Sequence, residues 1–213
     1  MHISIVGTEE QRREIESKFG NGHSYHFSTK TGVDFHAGAE LAFDFTRADN
    51  LSSLDFYNQV HMPVFTDVSF TSLQKLVEQS SQPLQTNLFG FCGLPTLINR
   101  SVFEISVYQK QDENIAKRFC EKLGTHFSIV KDQPGLITAR VIAMIINEAY
   151  FAMEDGIGSK EDIDLAMKLG TNYPFGPFEW CERIGWKNIV RLLNAVWEES
   201  GDDRYRVCTA LMK

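Results

Sequence analysis

The apolar positions of this chain change rhythm near its middle. In the first part they come in short runs, each bounded by polar stretches long enough for a helix or a turn. Residues 2–7 read as a buried strand, followed by a polar helix from Thr8 to about Phe19. Residues 23–28, 41–46 and 63–68 are further strands, and 72–78 a short helix. Residues 84–90 and 102–108 are two more strands. In 112–123, Ile115, Phe119 and Leu123 recur at helical spacing on one face, and Gly124 ends the run. Residues 126–130 form a last short strand. Strands alternating with helices in this way predict a largely parallel sheet with crossover connections.

After Pro134 no strand pattern remains, which places a boundary near Lys131 and predicts domains at 1–131 and 132–213. Residues 136–153 form a long apolar run in which Arg140 and Glu148 are the charged side chains. Ile137, Val141, Ile145 and Phe151 fall on different sides from Ile142, Ile146 and Tyr150, so the helix is apolar around most of its circumference. Such a helix belongs in a core or between subunits. Its length raises the question of a membrane span, but Arg140, Asn147, Glu148 and the charged flanks favour a central soluble helix. Pro134 suits its first turn. Ser159 and Asp162 have capping-box spacing at the start of a second helix, and Gly170 suits the left-handed position after it. A proline-rich turn, 173–179, follows.

Composition narrows the function classes. Among 213 residues, 28 acidic side chains against 21 basic ones give a formal charge of −7, which disfavours a general nucleic-acid binder. Cys92, Cys120, Cys181 and Cys208 are scattered, without metal-ligand pairing, and fit reduced thiols better than a disulfide framework. No charged-then-apolar leader precedes the first strand. The expectation is a cytoplasmic protein with no membrane segment and no metal.

The stretch 132–179 carries a set of specific words: Asp132-x-Pro134-Gly135-x-Ile137, Arg140, Asn147-Glu148-Ala149, Glu161-Asp162-Ile163-Asp164, Ala166-Met167-Lys168-Leu169-Gly170 and Tyr173-Pro174-x-Gly176-Pro177-Phe178-Glu179. These resemble the C-terminal domain of the 3-hydroxyacyl-CoA dehydrogenase family. The resemblance implies an α/β fold: a shortened Rossmann-like N-terminal domain, then an all-α domain like the C-terminal domain of 6-phosphogluconate dehydrogenase. It also implies a homodimer through the C-terminal helices, an acyl-CoA ligand, and oxidation of a 3-hydroxyacyl-CoA with NAD in fatty-acid metabolism.

The chain departs from that family where the chemistry would be. In the G-x-G-x-x-G fingerprint, whose glycines let the backbone approach a pyrophosphate, Gly7 is kept, but Glu9 and Arg12 hold the second and third positions. The acidic residue that grips a ribose about 20 residues on is missing; 27–30 reads Phe-Ser-Thr-Lys. The catalytic G-x-H-x-x-N-P segment aligns with 90–96, which puts Cys92 at the histidine position and Pro95 and Thr96 at the Asn-Pro positions. Glu104, twelve residues after Cys92, matches the glutamate that orients the imidazole. Ala139 stands where the family has an asparagine, and Ser69 is the candidate substrate-binding hydroxyl. A thiol beside a carboxylate makes a poor base and resists ionisation. The expectation is a family member whose dehydrogenase activity is weak or lost. The alternatives are an active NAD-dependent oxidoreductase using Glu104 and Cys92, and nucleophilic attack by Cys92 on an acyl thioester.

Overall fold

A computed structural model describes residues 1–32, 38–46, 53–80 and 82–212. The chain divides into two compact units, Met1–Leu136 and Ile137–Lys213.

The first unit runs β1 (His2–Val6), α1 (Glu9–Phe19), β2 (Ser24–Ser28), β3 (Leu41–Asp44), α2 (Ser53–Val60), β4 (Val64–Asp67), α3 (Leu73–Glu78), β5 (Leu88–Phe91), β6 (Val102–Val107), α4 (Glu113–Lys122) and β7 (His126–Ile129). The strands form one sheet in the order β2-β1-β3-β4-β5-β6-β7. All pairings are parallel except β5 with β6, where Phe89 opposes Val107 and Phe91 opposes Ile105. The central strands are buried on both faces, which is why they read as unbroken apolar runs. Phe43, Phe65, Phe89, Phe91 and Phe103 pack together with α1 and α4 residues, the Phe43 and Phe65 rings lying 5.3 Å apart. Ala42, Val64 and Leu88 join Leu54, Tyr57 and Leu73 in a second cluster.

Residues 132–136, which the sequence pattern assigns to the second half, cluster with the first unit. Asp132 accepts from the amides of Leu73 (2.9 Å) and Gln74 (3.1 Å) at the start of α3, and from the Ser106 hydroxyl (3.1 Å). The Gly135 amide donates to the Val68 carbonyl at 2.9 Å. The Asp-x-Pro-Gly word is thus a tie to the sheet. Pro134 lies outside the first turn of the long helix, because Gly135 and Leu136 take left-handed φ values of 70° and 54° and the helix begins later.

The second unit contains α5 (Thr138–Glu154), α6 (Lys160–Thr171), α7 (Pro177–Ile184) and α8 (Trp186–Ser200). Ser159 and Asp162 form the expected capping box on α6. Gly170, in contrast, lies inside α6; Asn172 takes the left-handed position with φ 56°. Asn147 on α5 accepts from the Cys208 amide and donates to the Arg206 carbonyl, each at 2.8 Å, and so holds the C-terminal tail. Among the described residues no helix is long and apolar enough to cross a membrane, no cluster of side chains could hold a metal, and all four cysteines are free.

Candidate active site

The strand order reverses at β1, with β2 on one side and β3 on the other, so the crevice at the carboxyl ends of these strands is where an open α/β sheet binds ligands. Here it is filled from within. Phe45, just past β3, is buried, and its ring lies between the two glycines that line the crevice. A Cβ added to Gly7 would stand 3.2 Å from the Phe45 ring, and one added to Gly93 would stand 2.8 Å from it. The ring is also held edge-on to Phe91 at 5.0 Å.

The start of α1 is closed as well. Thr8 and Gln11 form a reciprocal capping box: the Thr8 amide donates to the Gln11 carbonyl oxygen (2.8 Å), and the Gln11 amide to the Thr8 hydroxyl (3.3 Å). The Gly7 amide donates to Ser28 and the Arg12 amide to the Thr8 carbonyl, each at 3.0 Å. The Thr8 and Gln11 amides are therefore used by the cap itself, and the Arg12 amide makes the first regular bond of the helix. Glu9 is exposed, and its carboxyl is held below the usual range by the hydrogen bond from Arg12. Arg12 also pairs with Glu16 at 2.9 Å. Solvent screening and this neutralisation reduce the repulsion that Glu9 would exert on an anion. The larger obstacles are the ring of Phe45 and the internal cap.

On the far side of the crevice, Asp67 at the end of β4 is the hub. One of its oxygens accepts from the Ser69 amide (2.9 Å), the Ser69 hydroxyl (2.5 Å) and the Gly93 amide (2.8 Å). The Ser69 oxygen stands 3.4 Å from the Cys92 sulfur. Cys92 and Glu104 are brought together by the antiparallel β5–β6 register. Phe91 opposes Ile105, and one further step sets Cys92 against Glu104. The twelve-residue spacing is this register read along the chain. Burial, first, and the nearby Asp67 carboxylate push the Cys92 thiol up to about 12, while the Ser69 hydroxyl and a backbone hydrogen bond near Leu94 act against the rise. The thiol is protonated at neutral pH, which removes the thiolate that nucleophilic attack would need.

Thr96, at the family's proline position, has φ 68°. Proline is confined near −65°, so this backbone cannot hold the Asn-Pro pair. The loop has been rebuilt along with its side chains. Ala139, in the second unit, is buried near the start of α5 and offers no hydrogen-bonding group.

Residues 135–213 match the family model described as 3-hydroxyacyl-CoA dehydrogenase, C-terminal domain. Over that stretch the chain is similar to the C-terminal domain of the 3-hydroxyacyl-CoA dehydrogenase family. It is 48% identical over 82 residues to 3-hydroxyadipyl-CoA dehydrogenase of Escherichia coli, an alignment covering 38% of this chain and 17% of the relative. It is 31% identical over 182 residues to the mitochondrial hydroxyacyl-coenzyme A dehydrogenase of Mus musculus, covering 85% of this chain and 46% of the relative. The chain thus spans less than half the length of these two relatives. Among solved structures it resembles the (S)-3-hydroxybutyryl-CoA dehydrogenase PaaH1 from Ralstonia eutropha, with TM-score 0.76, 17% identity, and coverage of 99% of this chain and 92% of that one. FadB2 of M. tuberculosis gives TM-score 0.77 at 13% identity, covering 99% of this chain and 91% of that one. These similarities establish the fold: a Rossmann-like domain with a mostly parallel sheet, followed by an all-α domain.

The residues that 3-hydroxyacyl-CoA dehydrogenases would offer to NAD do not fit it here. Gly7 is kept, but the space above it holds Phe45, the α1 cap is self-satisfied, and no acid stands at the end of β2, where the Ser28 hydroxyl instead donates to the Lys30 carbonyl at 2.8 Å. Of the residues singled out from sequence, Cys92, Glu104 and Ser69 come together in one place and Gly7 borders the same crevice. Sequence reasoning missed Phe45 and Asp67. For Asp67 a local signal existed: Asp-x-Ser at a strand end is an Asx-turn pattern. For Phe45 there was none.

Proposed function

We propose that this chain is a divergent member of the 3-hydroxyacyl-CoA dehydrogenase family in which NAD-dependent oxidation of a 3-hydroxyacyl-CoA is weak or lost, while the fold and a dimerising helical domain are kept. The observation that carries this reading is the Phe45 ring in the nucleotide crevice, between Gly7 and Gly93. The thiol at 92, held protonated, supports it from the catalytic side. An acyl-CoA thioester remains the ligand class for any residual binding, in a cytoplasmic setting. The cross-strand pairing of Cys92 with Glu104 supports a second reading, an active oxidoreductase, and one assay separates the two. Titration with NADH, followed by nicotinamide fluorescence, is expected to show a Kd weaker than about 1 mM. Acetoacetyl-CoA reduction is expected to equal that of a Cys92→Ala variant. Tight binding with turnover above that variant establishes the active reading instead.

The homodimer rests on α5 and its surroundings within the second unit. Ile137 and Val141 are about half exposed, at 54% and 51%. A groove of about 670 Å³ is lined by Val141, Met144, Ile145, Ile163, Met167 and Pro177. Arg140 and Glu148, two turns apart on α5, place opposite charges along the same groove, which suits antiparallel packing against a second copy. An exposed apolar stripe of this kind marks an interface. An Ile145→Asp variant is expected to sediment at half the mass of the parent protein or to aggregate; unchanged sedimentation as a dimer rules out this face as the interface.

A further inference from the structure

One face of α5 carries the same pattern read from either end. Ile137, Val141, Met144, Glu148 and Phe151 are exposed or half-buried and follow at alternating steps of four and three, so they form a single stripe. Arg140 flanks that stripe and lines the same groove as Val141, Met144 and Glu148. Met144 stands at the centre. Ile137 and Phe151 lie seven residues to either side of it, and Arg140 and Glu148 four residues to either side. At the helical rise, the apolar ends stand about 10 Å from the centre and the charges about 6 Å.

A two-fold axis requires that when residue i of one chain meets residue j of its partner, j also meets i. Two α5 helices packed antiparallel, with the axis at Met144, meet that requirement along the whole stripe. Arg140 then faces the partner's Glu148, Ile137 packs on the partner's Phe151, and Met144 packs on its own copy. Parallel packing in register sets arginine against arginine and glutamate against glutamate, opposing like charges twice. Sliding the antiparallel pair by four residues brings Arg140 against Ala152 or Met144 and loses both ion pairs. Arg140 is also preset for the contact. Its guanidinium donates to the Tyr205 hydroxyl at 2.6 Å and lies 4.7 Å from the centre of that ring. The five N–H groups of a guanidinium can serve further acceptors, and a side chain already held in place loses little freedom on pairing.

We propose that the second unit dimerises through antiparallel α5 helices about a two-fold axis at Met144, with Arg140 and the partner's Glu148 forming two symmetric ion pairs that fix direction and register. The inference rests on the homodimer proposed above and adds its geometry: where the axis passes, how the helices run, and which charges select that arrangement. Ile163 and Met167 of α6 supply the apolar wall of the groove beside the stripe.

Sedimentation equilibrium on the full chain comes first, and a monomeric parent protein overturns the homodimer and this inference together. In a dimeric parent, Glu148→Lys sets a lysine against the partner's Arg140 without touching the Arg140–Tyr205 bond. It is expected to raise the dimer Kd about thirtyfold, two pairs each turning from attraction to repulsion. Cysteine crosslinking reads the register without altering either charge. Under mild oxidation, with the parent protein as control, Met144→Cys is expected to give a disulfide-linked dimer. Ile137→Cys alone is expected to give none, since its two copies stand about 21 Å apart, whereas a mixture of Ile137→Cys and Phe151→Cys chains should crosslink. A dimer that keeps its Kd in Glu148→Lys, or that crosslinks through Ile137→Cys alone, overturns this geometry and leaves the homodimer standing.

Discussion

A Gly176→Ala variant is expected to lose about 3 kcal/mol of stability, read as a lower urea midpoint for the helical domain. Gly176 is the N-cap of α7, and its φ of −72° is one that any residue can adopt. The requirement is for space. A Cβ at this position would overlap the carboxyl group of Asp164, which reaches across from α6 and accepts the amides of Phe178 (2.8 Å) and Glu179 (3.2 Å) at the start of α7. Those amides have no partner within the helix, and an acid beside them also complements the helix dipole. To admit a methyl group, Asp164 must withdraw, leaving two amides unmet at about 1–3 kcal/mol each before relaxation. Asp164→Ala removes the same bonds directly and should match Gly176→Ala in effect. Gly170 supplies the contrast. It lies inside α6 with no atom near the missing Cβ, so Gly170→Ala is expected to stabilise the domain by up to about 1 kcal/mol. Had Gly170 been the left-handed cap, the same change would destabilise it.

That contrast shows where sequence patterns suffice and where they fail. Strands β1, β3 and β4 were legible because parallel strands buried on both faces leave nearly unbroken apolar runs, whereas β7, at the sheet edge, was legible from its alternation of polar and apolar residues. The start of β5 was misplaced. Residues 84–87 look like strand, but Asn58 replaces the ladder there, accepting from the Gln85 amide (2.8 Å) and donating to the Pro83 carbonyl (3.1 Å). Helix α2, which supplies that asparagine, went unread; its buried face, Leu54 and Tyr57, is too short to show a period. The left-handed residue after α6 was read as glycine because glycine is the commoner choice, yet asparagine two residues later tolerates it too. In the candidate site, Cys92 and Glu104 could be read from spacing because an antiparallel register converts a fixed separation into a contact. Phe45 could not, since it meets Gly7 and Gly93 through packing across strands far apart in the chain.

Restoring the family's base alone is therefore expected to restore nothing: Cys92→His should leave acetoacetyl-CoA reduction at the level of Cys92→Ala. Loss of a positioned base accounts for about 10²–10⁴ in rate, and Glu104, set opposite position 92 by the β5–β6 register, could orient an imidazole. If the base were the sole defect, the single change would recover much of that factor. Three obstacles stand in the way, and histidine removes none of them. The hydride acceptor has no seat while Phe45 fills the crevice, the amides at the start of α1 serve their own capping box, and the loop at Thr96 has a backbone that the Asn-Pro pair cannot adopt. The steric obstacle can be tested apart from the chemistry. Phe45→Ala should cost about 3–5 kcal/mol of stability, as expected for a buried phenylalanine packed on Phe91. If the protein stays folded by circular dichroism, the double variant Phe45→Ala, Cys92→His should bind NADH more tightly than Cys92→His alone. The order of recovery decides the matter. Nucleotide binding gained by opening the crevice, with turnover only afterwards, places the primary lesion at the cofactor site; turnover from Cys92→His by itself would place it at the base and end the case for a closed crevice.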